Sequence, residues 1–213
     1  MEPIEPISRD SGTGPGVVCF HSNASSSVQW RGLLELLAPR FRVLAPDSFG
    51  AGKSPAWPSD RIITLSDEVA LVEPVLARAG VPLTLVGHSY GAAVALIAAL
   101  LNPSRVRAIA LYEPTLFALH DAEVPPPNEA DGIREVVADA GLALDADNQD
   151  AAERFIDYWM GSGTWKRTPE QRKQSIAVAV ANVRGWAQAL FAEPTPLTLR
   201  SSRQPPASRC LGE

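Results

Sequence analysis

The chain has 213 residues, of which 46% are hydrophobic, 20% charged and 7% aromatic. That length suits one domain with a substantial core, and a formal charge of −5 argues against a nucleic-acid binder or a polybasic membrane anchor. No apolar run reaches the roughly 18–20 residues of a membrane span; the longest extends only from Ala92 to Leu101. The start, Met1-Glu2-Pro3-Ile4-Glu5-Pro6, has no basic stretch leading into an apolar one, so no signal peptide is read. Cys19 and Cys210 are the only cysteines, too few for a disulfide framework or a Cys-based zinc site. These features predict a soluble, cytoplasmic globular protein that binds neither nucleic acid nor membrane and needs no metal or cofactor.

Up to His120 two periods alternate. Gly16–Phe20, Arg42–Ala45, Leu83–Val86 and Val106–Tyr112 are short, apolar and β-branched, as buried parallel strands are. Between them, Trp30, Leu33, Leu34 and Leu37 repeat at helical spacing behind the serines 25–27, which can cap the start. Leu65, Val69, Val72 and Leu76 repeat likewise, with Asp67 and Glu68 in the first turn, Gly80 after the end and a kink expected at Pro74. Ala92–Leu101 is apolar all round and predicts a buried helix. Ser11–Gly16 has spaced glycines but no strand before it and reads as a hairpin or lead-in loop. The rhythm predicts an α/β fold, a mostly parallel sheet flanked by helices.

The charge pattern changes near residue 121. Ten acidic and nine basic residues precede it, residues 121–160 hold eleven acidic and two basic, and the remainder holds eight basic and three acidic. With Pro125-Pro126-Pro127 at the same place, this sets a division into a core of residues 1–120 and a helical segment of residues 121–193. Within that segment Ile133, Val136 and Val137 mark one helix face, Phe155, Ile156 and Trp159 another, and 175–190 a third helix. Residues 194–213 offer a short strand candidate, Pro196–Arg200, and then a Ser/Arg/Pro-rich tail read as disordered.

Gly87-His88-Ser89-Tyr90-Gly91 is the informative motif, because an apolar strand leads in and an apolar helix leads out. The turn between them is so sharp that a Cβ at Gly87 or Gly91 would collide with neighbouring backbone. Ser89 then sits strained at the carboxyl end of the strand with its hydroxyl exposed; an ordinary helix-capping serine is the bland alternative. Strand Val17–Phe20 ends in His21-Ser22-Asn23-Ala24-Ser25-Ser26-Ser27, small residues that let a backbone N–H reach a developing oxyanion. His21 and His88 are read as structural, the latter pointing away from the nucleophile.

These segments, from about Val17 to Phe117, resemble the α/β-hydrolase fold family: the His21-Ser22-Asn23 loop, the strand and loop Ala45-Pro46-Asp47-Ser48-Phe49-Gly50-Ala51-Gly52-Lys53-Ser54, the elbow, and a strand ending Tyr112-Glu113-Pro114. The resemblance implies that Ser89 is a nucleophile, that the amides of Asn23 and Tyr90 form an oxyanion hole, and that the helical segment is a lid. It further implies acyl chemistry on an ester-like or other carbonyl compound, since relatives that open epoxides or cleave halides use a carboxylate nucleophile. Trp159, Trp165 and Trp186 become candidate pocket walls, with plain core as the alternative.

The family order of nucleophile, acid, histidine is not completed. After Ser89 the one histidine is His120, at the start of the presumed lid, and the last strands and terminal helix have no counterpart. The sequence therefore reads as a truncated or frame-shifted hydrolase, or a fragment, with an unprotected sheet edge prone to self-association; a divergent member with a rebuilt site is the other option. Glu113 as acid with His120 as base would be such a rebuild, and a solvated pair is its bland counterpart. A catalytically impaired or non-catalytic binding protein is the competing function. Two other motifs fail. Gly50-Ala51-Gly52-Lys53-Ser54 has Asp47 where a phosphate loop needs glycine, and Asp145–Asp150 lacks the glycine and glutamate of a calcium loop.

Overall fold

The computed structural model describes residues 5–145 and 150–194. Five strands form one sheet in the order β1-β3-β2-β4-β5: β1 (Ser8–Ser11), β2 (Gly16–Phe20), β3 (Arg42–Pro46), β4 (Leu83–His88) and β5 (Val106–Tyr112). The pairs β2–β3, β2–β4 and β4–β5 are parallel, while β1 lies antiparallel on β3 with Ser8 opposite Pro46. The four apolar strands stand where the sequence puts them. The polar β1 is an addition to that reading, an edge strand just before the glycines taken as a lead-in loop.

Because successive side chains leave a strand on opposite faces, the fully buried β2 serves two cores. Val18 and Phe20 pack with α2 (Leu65–Ala79) and α3 (Tyr90–Leu101), while Val17 and Cys19 join Leu34 of α1 (Arg31–Leu37). A strand covered on both sides needs an unbroken apolar run. Ser26 caps a single 3₁₀ turn, Ser27–Trp30, ahead of α1. At α2 the Thr64 hydroxyl accepts from the Asp67 N–H at 3.2 Å and the Asp67 carboxylate accepts from the Thr64 N–H at 2.8 Å, satisfying donors that a helix start leaves open. The helix runs through Pro74 as one element.

The helical segment comprises α4 (Phe117–Glu123), α5 (Asp131–Asp145), α6 (Asp150–Met160), α7 (Thr164–Arg167), α8 (Glu170–Val180) and α9 (Val183–Phe191). The division at residue 120–121 thus falls inside α4. The single helix expected over 175–190 is two helices, broken at Ala181-Asn182. There the Asn182 side-chain amide donates to the Gly50 carbonyl at 3.0 Å, a partner 132 residues away that local periodicity does not reveal. The strand candidate Pro196–Arg200, the tail from Ser201 and the middle of the Asp145–Asp150 loop lie outside the described residues.

Two features carry tests. Glu68, on the buried face of α2, accepts from the Phe49 N–H at 3.2 Å and the Tyr90 hydroxyl at 3.1 Å. Burial pushes its carboxyl from an ordinary 4.5 up to about 8. The folded protein therefore keeps a proton that the unfolded chain releases, so this group's contribution to stability is present below pH 4.5 and lost as pH rises through about 8. Against Glu68→Gln, the wild type should lose stability at up to about 1.4 kcal/mol per pH unit across that window; parallel pH profiles in denaturant titrations would refute the buried neutral carboxyl. The second feature is β5, which pairs with β4 alone among the described strands and exposes Arg107 through Tyr112. Unpaired N–H and C=O groups on such an edge template association, so scattering mass should rise with concentration and Ile109→Lys should suppress the rise.

Candidate active site

The elbow follows from backbone sterics. A Cβ on Gly87 would overlap the Gly91 carbonyl and Ala92, and one on Gly91 would overlap the carbonyls of Phe20 and His21. Only glycine lets α3 start this close to β4 and to the end of β2. Ser89 takes φ 54° and ψ −118°, a conformation costing about 1–3 kcal/mol in a non-glycine residue. Its N–H donates to the Tyr112 carbonyl at 2.9 Å, tying the strained residue to β5. The Tyr90 side chain is buried against Trp186 with ring centroids 5.5 Å apart, which leaves its backbone N–H at the first turn of α3, where the helix dipole favours negative charge.

The His21-Ser22-Asn23 loop is fixed by hydrogen-bond logic. The Ser22 carbonyl can only accept, so His21 Nδ1, 2.8 Å away, carries the proton. The Ser48 N–H can only donate, so His21 Nε2, at 3.0 Å, is bare. Both ring nitrogens are committed to the neutral form, and full burial pulls the imidazole below its usual pKa. In a planar trans peptide the carbonyl and the following N–H point in opposite directions. Anchoring the Ser22 oxygen on His21 therefore aims the Asn23 N–H the other way. His21 is fully buried with both ring nitrogens hydrogen-bonded, in keeping with the structural reading.

Asp47, which the sequence analysis sets against a phosphate loop, ties two loops together. One oxygen accepts from the Ser27 N–H at 2.6 Å and the other from the Lys53 N–H at 3.3 Å, joining the loops after β2 and β3. A Cβ on Gly52 would meet this carboxylate, which accounts for the glycine there.

A cleft of about 950 Å³ lies between the strand ends and the helical segment, lined by Asn23, Ser89 and Glu113 from below and by Phe155, Ile156 and Trp159 from above. Trp159 is a wall residue as expected; Trp186 is buried core and Trp165 is outside the lining. His88 also lines the cleft, with its ring between Gln29 and Glu113. Glu113, at φ 49°, lies 3.4 Å from His88 Nε2. The structure does not bring Glu113 and His120 together. His120 Nε2 lies 3.1 Å from Glu129 and is not among the cleft residues, because α4 starts its turn before the chain can fold back over Ser89. Among the described residues, no group of three His, Cys, Asp or Glu side chains could hold a metal ion, and no helix is long and apolar enough to cross a membrane.

The geometry has close counterparts. A haloalkane dehalogenase of Agrobacterium fabrum is 35% identical over 118 residues, covering 55% of this chain and 38% of that protein. Lipase LipV of Mycobacterium tuberculosis is 33% identical over 161 residues, covering 75% of this chain and 55% of that protein. The chain thus spans between about a third and just over a half of these curated relatives' lengths. The crystal structure of an α/β hydrolase from Sphaerobacter thermophilus superposes with a TM-score of 0.67 at 22% identity, over 87% of this chain and 69% of that one, a likeness of fold. The model of the alpha/beta hydrolase fold family matches residues 15–195, and by that match the chain belongs to the α/β hydrolase fold family.

Proposed function

We propose that the protein is a hydrolase of ester-like or other carbonyl-containing small molecules, with Ser89 as nucleophile and the N–H groups of Asn23 and Tyr90 as oxyanion donors. One observation carries the reading: Ser89 is held at φ 54° between β4 and α3, on the floor of the cleft. Backbone strain of this kind persists only where surrounding structure imposes it, and it concentrates at functional sites. The hydroxyl oxygen attacks the substrate carbonyl as its proton passes to water in the cleft, and the charge developing on the carbonyl oxygen meets the two amides. A serine, not a carboxylate, at this position favours acyl chemistry over the halide chemistry in the name of the Agrobacterium relative. The helical segment acts as a lid, its apolar wall of Phe155, Ile156, Trp159 and Ile176 accepting the hydrocarbon part of the substrate.

A fluorophosphonate probe should label the wild type at Ser89 and spare Ser89→Ala; labelling spread over other serines would overturn the assignment.

A second reading, an impaired catalyst, is favoured by the histidines. His21 has both nitrogens committed in the core, His120 pairs with Glu129 away from the cleft, and His88 is engaged by Gln29 and Glu113. With no histidine among the described residues free to take the Ser89 proton, turnover of an activated ester should rest on the oxyanion donors and binding, roughly 10³–10⁴ over water. His120→Ala should leave that rate within about twofold, while a loss of about a hundredfold would make His120 the general base.

A further inference from the structure

A chain of side chains crosses the near wall of the cleft, and its polarity can be read without seeing a hydrogen atom. Gln29, in the 3₁₀ turn before α1, meets the Ser22 N–H at 3.0 Å and the Ser22 hydroxyl at 2.9 Å through Oε1. A backbone N–H can only donate, so the atom facing it is the amide oxygen. The other end of Gln29 is therefore the NH₂, and it lies 3.0 Å from His88 Nδ1. An NH₂ donates, so Nδ1 accepts, and the ring proton sits on Nε2, directed at the Glu113 carboxylate 3.4 Å away.

We infer that Gln29 and a neutral His88 form a strut between the nucleophile elbow and the oxyanion loop, and that both are positioning residues for the Asn23 amide. The inference rests on the Ser89 reading and extends it. His21 holds the carbonyl of Ser22, the near side of the peptide that bears the Asn23 N–H, while Gln29 holds the N–H and hydroxyl of the same residue. The two anchors fix both peptide planes around Ser22. His21 is locked by burial, whereas the Gln29–His88 link is open to solvent and depends on one protonation state. A proton on Nδ1 would face the Gln29 NH₂. If the amide flipped to meet it, the Ser22 N–H would lose its acceptor. Tyr112 and Glu113, at and just after the end of β5, contact His88, and Arg167 and Arg172 line the same cleft.

The test uses the full chain and two readouts. In Gln29→Ala, hydrogen exchange at the Ser22 amide should speed up by at least about tenfold while exchange in β2 and α3 is unchanged. The rate of fluorophosphonate labelling at Ser89, and kcat on an activated ester, should fall by roughly tenfold with KM held. An unchanged Ser22 amide in Gln29→Ala overturns the strut. A released amide with unaltered labelling overturns the positioning role. Absence of label on wild-type Ser89 instead overturns the nucleophile assignment and with it the catalytic role of the strut.

Discussion

The site depends on a contact between backbones. Gly91 presses against the carbonyls of Phe20 and His21, and Gly87 against Gly91 and Ala92, with no room for a methyl at either place. This brings the end of β2, the end of β4 and the first turn of α3 together. The Asn23 loop leaves β2 at that point and the Tyr90 amide opens α3 there. The placing of Ser89 and of the Asn23 and Tyr90 amides is thus a product of one packing constraint. Anything that widened the contact would disperse the three together.

Two buried titratable groups flank this contact, and both are held uncharged near neutral pH. His21 is neutral because its nitrogens serve a carbonyl on one side and an N–H on the other. Glu68 is neutral because burial outweighs its two hydrogen bonds. An ion beside a strained backbone would demand water or a counter-charge in a place that has space for neither. Neutral partners supply direction without that cost, and the local field is left to the amides and the start of α3.

What could be read from sequence divides along physical lines. The three inner strands and α3 were legible because burial on both faces demands continuous apolar runs, β5 because the edge strand carries a similar apolar run, and the elbow because steric exclusion demands glycine at two fixed positions. β1 was not: Ser8–Ser11 is polar and half-exposed, and what holds it is backbone pairing to β3, which leaves no mark on composition. The break at Asn182 was hidden because its cause is Gly50, far away in sequence. Glu68 did leave a signal, a carboxylate on the apolar stripe between Leu65 and Val72, where a solvated acid has no reason to be. The contacts of His88 and the separation of Glu113 from His120 were beyond spacing arguments, since they turn on where a strand ends and a helix begins to within one residue. The His21-Ser22-Asn23 loop stood out by its small residues, but the logic that orients it, through His21 and Asp47, appears only with the hydrogen bonds.

The break in the long helix bears on how the cleft can move. α9 follows Asn182, which is pinned to Gly50; it carries Trp186 against Tyr90 and ends with Phe191 stacked on Phe117 at 4.7 Å. Mechanically it belongs to the core, although in chain order it is the last part of the helical segment. Val183, Ala187 and Leu190 on α9 then form a stationary wall. Any widening of the cleft then falls to the helices before Ala181, with α9 staying on the core.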